Sequence, residues 1–105
     1  MPIDESKLSR DELIVYDALK DIIDPEFGFS IVEAGFIDEI KVEDGKVKVV
    51  YHLSTPFCPS IFALQIGLNI KYKLHSIPFV RESEVVLIDH WQSEEINKAI
   101  REYKP

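Results

Sequence analysis

Cys58 is the one cysteine of the sequence, and it stands in Thr55-Pro56-Phe57-Cys58-Pro59 just ahead of a long apolar-patterned segment. That spacing predicts a helix opening at Pro59 with Cys58 at its N-cap, where unpaired amides and the positive dipole end favour an anion. The expectation is an exposed thiolate held there, activated to bind a metal or attack an electrophile. Burial as a small hydrophobe at a helix start is the plainer alternative, since free cysteines are commonly buried. A single cysteine rules out an internal disulfide or a Cys-x-x-Cys redox pair. Nucleophilic catalysis would need a base beside the sulfur, and His52 is the nearest in sequence. No glycine-rich oxyanion loop accompanies it, and the chain has only 4 glycines. His52, His75 and His90 are scattered, without the close pairs of structural zinc motifs. Asp24-Pro25-Glu26 is an acidic stop that could orient a metal centre or simply remain solvated.

Positioning these groups falls to a short series of elements. Ser9-Arg10-Asp11-Glu12 is a capping box, and Val15, Ala18, Leu19, Ile22 and Ile23 form one helical stripe that Asp24-Pro25 ends. Strands follow over Phe36 to Glu43 and Lys46 to Ser54, joined by the hairpin dipeptide Asp44-Gly45. The helix from Pro59 to about Leu74 is apolar on two sides, along Ile61, Leu64, Leu68 and Tyr72 and along Ala63, Ile66, Ile70 and Leu74. A sheet takes one side, and another helix or a second copy of the chain must take the other. Val85 to Ile88 forms the centre of a third strand over Ser83 to Ile88, and its continuous apolar run predicts cover on both faces. Ser93-Glu94-Glu95 caps a closing helix that buries Ile96, Ala99, Ile100 and Tyr103. The expected fold class is α+β, in the order helix-strand-strand-helix-strand-helix, with a three-stranded mixed sheet covered by helices.

At 105 residues the chain is one domain, read as a loose lead-in over residues 1–8 and a folded unit over 9–105. Twelve basic against 19 acidic residues leave a net charge of −7, which argues against nucleic acid as a partner. No apolar run reaches the ~18 residues of a membrane helix. Met1-Pro2-Ile3-Asp4-Glu5 lacks a secretory pattern, so the expected compartment is a reducing cytoplasm.

Taken in order, Asp24-Pro25-Glu26, Ile31-Val32-Glu33-Ala34-Gly35-Phe36-Ile37, Leu53-Ser54-Thr55-Pro56-Phe57-Cys58-Pro59 and His90-Trp91 resemble the small iron–sulfur cluster assembly factors of the SufT/PaaD type, which include the MIP-eighteen component of cytosolic iron–sulfur assembly. The resemblance runs from about Asp11 to Tyr103. It implies a non-enzymatic carrier or adaptor in iron–sulfur maturation, with Cys58 as the key thiol and cluster or metal ligand. Thr55 and Pro59 would frame its loop, and Asp24, Glu26 and Gly35 match further family positions. Three residues depart from the pattern: Phe57 where glycine is usual, Glu33 for Asp or Asn, and His90 for the proline before Trp91.

A [2Fe–2S] cluster normally takes four protein ligands, and this chain has one cysteine. A cluster would therefore need a second copy, partner cysteines, a small thiol or the histidines. The expectation is a transient cluster or iron handled with carriers or client apoproteins by a homodimer paired across the second face of the central helix. Two alternatives stay open at this point. One is a PaaD-like accessory to assembly of a multicomponent oxygenase, and the other is a small enzyme using Cys58 and His52.

Overall fold

The computed structural model of the protein describes residues 3–104; Met1 and Pro2 of the expected lead-in and Pro105 of the expected domain lie outside them. A short 3-10 turn at Glu5–Lys7 precedes α1 (Arg10–Leu19). The capping box forms as expected: Ser9 Oγ accepts from the Glu12 amide at 3.2 Å, and Glu12 Oε1 accepts from the Ser9 amide at 3.0 Å. Glu12 Oε2 also accepts from the Val42 amide, which ties the start of this helix to the sheet.

The helix ends earlier than its periodicity suggests. Ser30 Oγ caps the Lys20 carbonyl, the chain turns, and Ile23 pairs with Ser30 in an isolated antiparallel bridge. Ile22 still reaches the core from this turn while Ile23 is exposed, so the stripe outran the helix.

β1 (Ile37–Glu43) and β2 (Lys46–Tyr51) form the predicted hairpin, with Asp44 and Gly45 both at positive φ (51° and 79°). That is the turn whose twist matches paired strands. β2 closes at Tyr51 rather than Ser54, and the chain reaches α2 (Ser60–His75) through the Cys58 loop. The helix returns it to β3 (Glu82–Leu87), which runs parallel to β2, so the sheet is mixed in the order β1-β2-β3. α3 (Ser93–Glu102) closes the fold. Gln92, not Ser93, is its N-cap, and Ala99 and Tyr103 are only half-buried.

All three helices cover one face of the sheet. Ile37, Ile40, Val47, Val49, Tyr51, Val85 and Leu87 point into that core. The opposite face carries spaced ion pairs such as Lys48–Glu39 (3.8 Å) and Lys46–Glu82 (3.8 Å). β3 is therefore not covered on both faces: Val86 and Ile88 are half-buried beside that charged surface. α2 buries Ala63, Ile66, Ile70 and Leu74 as expected, but Ile61 and Tyr72 of its second stripe stay exposed. Gly67 lets α2 approach closely, because a Cβ there would lie 2.6 Å from the Tyr51 hydroxyl and overlap Ile100.

Candidate functional site

Cys58 lies at the end of a loop that crosses from β2 to α2. Thr55 Oγ1 accepts from the Phe57 amide at 3.2 Å, a local turn that a threonine can make two residues on. Two bonds from another segment then fix the loop. The Trp91 amide donates to the Pro56 carbonyl (3.1 Å), and His90 Nε2 pairs with the Cys58 carbonyl (2.8 Å). His90 Nδ1 accepts from the Gln92 amide at 3.0 Å, so the ring proton sits on Nε2 and donates to Cys58. Asp89, in the left-handed region at φ 55°, turns the chain just before this histidine.

The expected exposed thiol at the N-cap is corrected on both counts. Pro59 is the N-cap, which puts Cys58 one residue outside the helix, and Cys58 is only 9% exposed. Its carbonyl is drawn onto the β3–α3 connection, and its side chain turns inward. Sγ lies 3.6 Å from Ser54 Oγ and 3.7 Å from Thr55 Oγ1, within hydrogen-bonding reach of both hydroxyls. Residues 54–57 around it are all exposed. The thiol is sheltered under a thin, exposed loop.

Large apolar side chains are exposed nearby in the chain: Phe57 of the loop at 76%, Ile61 in the first turn of α2 at 73% and Trp91 after His90 at 64%. An open groove of about 630 Å³ runs past His52, Thr55, Phe57, Asp89 and Trp91. Phe57 keeps a negative φ, so the loop has no need of glycine at that point.

His52 faces Asp38 instead of the sulfur, with Nδ1 2.7 Å from Asp38 Oδ2. A bulge in β1 between Ile37 and Glu39 leaves Asp38 as the extra residue and aims it there. Among the described residues Sγ has hydroxyl partners and no imidazole partner, which leaves a Cys58–His52 nucleophilic pair unformed. His75 bonds Ser83 at 2.8 Å, far along the chain from the loop.

The remaining predicted residues organise a different segment. Asp24 is 4% exposed, and its Oδ1 accepts from the amides of Glu26 (2.7 Å) and Phe27 (3.3 Å). Its role is to fold its own loop. Glu26 and Glu33 are exposed, and Gly35 adopts φ 80° at the turn before β1. Glu33 and Ala34 share a second groove, of about 390 Å³, with Phe29, Phe36 and Ser54. Asp24 and Glu26 line neither groove. Two residues of the site were not legible as such: Asp38, exposed to view only through the bulge, and His90, signalled by its departure from the family proline.

The class this arrangement defines is a small α+β domain with a sheltered thiol ahead of a helix. The chain belongs to the iron–sulfur cluster assembly protein family, whose pattern matches residues 14–86. It is 34% identical over 89 residues to the uncharacterized protein MJ1129 of Methanocaldococcus jannaschii, covering 84% of this chain and 92% of that one. It is 31% identical over 75 residues to the iron–sulfur protein maturation auxiliary factor YitW of Bacillus subtilis, covering 70% and 72% respectively. The crystal structure of a DUF59 domain from Bacillus anthracis superposes with a TM-score of 0.71 at 25% identity, over 95% of this chain and all of that one. Among the described residues no helix is long and apolar enough to cross a membrane, and no three His, Cys, Asp or Glu side chains cluster to hold a metal ion.

Proposed function

We propose that this member of the family is a non-enzymatic, cytoplasmic iron–sulfur assembly factor that works in complex, offering the Cys58 sulfur to a cluster or iron shared with a carrier or client apoprotein. The observation that carries the reading is the placement of one stowed sulfur in a loop whose exposed Phe57 and Trp91 line a shared groove. Exposed aromatic side chains at the rim are the kind of surface a protein partner covers. With one cysteine and no metal-holding cluster among the described residues, cargo bound by this chain would need ligands from elsewhere. Thr55 and Pro59 hold the loop in shape, and Asp24, Glu26 and Gly35 shape the neighbouring connection. A second copy is one source of the missing ligands, and the exposed Ile61 and Tyr72 of α2 offer it a face.

The test is maturation of client enzymes in cells lacking the chain. Cys58→Ala, expressed and folded, is expected to leave client activity at the level of the deletion. Full activity with Cys58→Ala would overturn the proposal. Light scattering across a micromolar concentration series tests the dimer, which a constant monomer mass would remove.

A further inference from the structure

We propose that His90 is a positioning residue for Cys58: it clasps the loop shut, and the sulfur is presented when the bond to the Cys58 carbonyl opens. The inference rests on the reading that Cys58 carries the function. His90 is a buried polar side chain, and both of its ring nitrogens are used. Nδ1 takes the Gln92 amide at the start of α3, and Nε2 donates to Cys58 thirty-two residues away in sequence. The ring therefore joins the two segments that flank the groove, helped by the backbone bond from Trp91 to Pro56.

The loop it holds is otherwise poorly anchored. Ser54, Thr55, Pro56 and Phe57 are exposed, and Cys58 alone is buried. A segment with so little buried apolar surface opens at a small fraction of the global unfolding cost. Removing the donor leaves the Cys58 carbonyl without its partner, which shifts the equilibrium towards the open loop.

The experiment is alkylation of Cys58 by iodoacetamide in the full chain, followed by mass spectrometry at a series of low urea concentrations. In wild type the rate is expected to be nearly independent of urea, the sign of a local opening. His90→Ala is expected to label about tenfold faster, in line with one lost hydrogen bond and an unpaired acceptor. His90→Gln keeps both a donor and an acceptor, and its rate is expected to stay within about threefold of wild type. The proposal is overturned by a wild-type rate that rises with the full urea dependence of global unfolding, by His90→Ala labelling at the wild-type rate, or by His90→Gln labelling as fast as His90→Ala. Should His90→Ala not fold, ring nitrogen shifts of wild-type His90 decide: a proton on Nε2 alone supports the clasp, and one on Nδ1 overturns it. Labelling reads access to the sulfur and not cargo handling. A dispensable Cys58 in client maturation would thus sink the functional proposal while leaving the clasp intact.

Discussion

Two loops of this protein are built from similar parts and secured in opposite ways. In the loop after α1, Asp24 takes two amides with one carboxylate oxygen, while its own amide bonds the Phe29 carbonyl and its own carbonyl takes the Gly28 amide. Every one of those bonds lies within the loop, and Phe27 and Phe29 stack across it at 5.7 Å. In the loop before α2, Thr55 makes one local bond, and the fixing contacts come from His90 and Trp91 on another segment. A loop closed on itself is a rigid spacer. A loop closed by a distant side chain can be released by breaking that one contact, and that is the loop carrying the thiol.

The contrast is broken most severely at Asp24. Asp24→Ala removes a buried carboxylate that accepts two amides of an exposed turn and is expected to cost about 2–3 kcal/mol in urea unfolding, with Cys58 labelling at low urea unchanged. Asp24→Asn, which keeps an acceptor oxygen, is expected to recover more than half of that loss. The floor beneath the thiol loop should be firm by comparison. Tyr51 donates to the Ala63 carbonyl at 2.8 Å, and burial pushes its phenol well above the ordinary range. The unfolded chain therefore releases that proton first, and stability falls as pH rises past about 10, by up to roughly 1.4 kcal/mol per pH unit. Denaturation midpoints across that range should show the slope in wild type and a shallower one in Tyr51→Phe.

Smaller changes separate the loops more finely. Thr55→Ala removes the local turn bond and one neighbour of the sulfur. We expect a global loss of about 1 kcal/mol or less, together with labelling of Cys58 several-fold faster. Phe27→Ala and Trp91→Ala each trim an exposed ring and should cost about 0.5 kcal/mol or less. Trp91→Ala keeps the backbone bond to Pro56, so its effect should appear in client maturation instead of in stability.

The sequence made the hairpin and the order of elements readable because their signals are local: a capping box at Ser9, Asp44-Gly45 between strands, and a proline opening the central helix. Ile22 misled for the opposite reason, since a turn after α1 returned it to the core at a helical interval. The β1 bulge left a trace in the three-residue step from Ile37 to Ile40, where a regular strand steps by two. Cys58 was identifiable by type and neighbourhood, but the choice between an exposed and a buried sulfur was not. That depends on His90, whose contact with the loop exists only once β3 is laid beside β2.

Anaerobic incubation with ferrous iron and sulfide, followed by desalting and iron analysis, tests the central claim most directly. The chain alone is expected to keep no cluster, whereas with glutathione present as a supplementary thiol, wild type should hold a visible chromophore that Cys58→Ala lacks. Equal colour and equal iron in the two proteins would contradict the account.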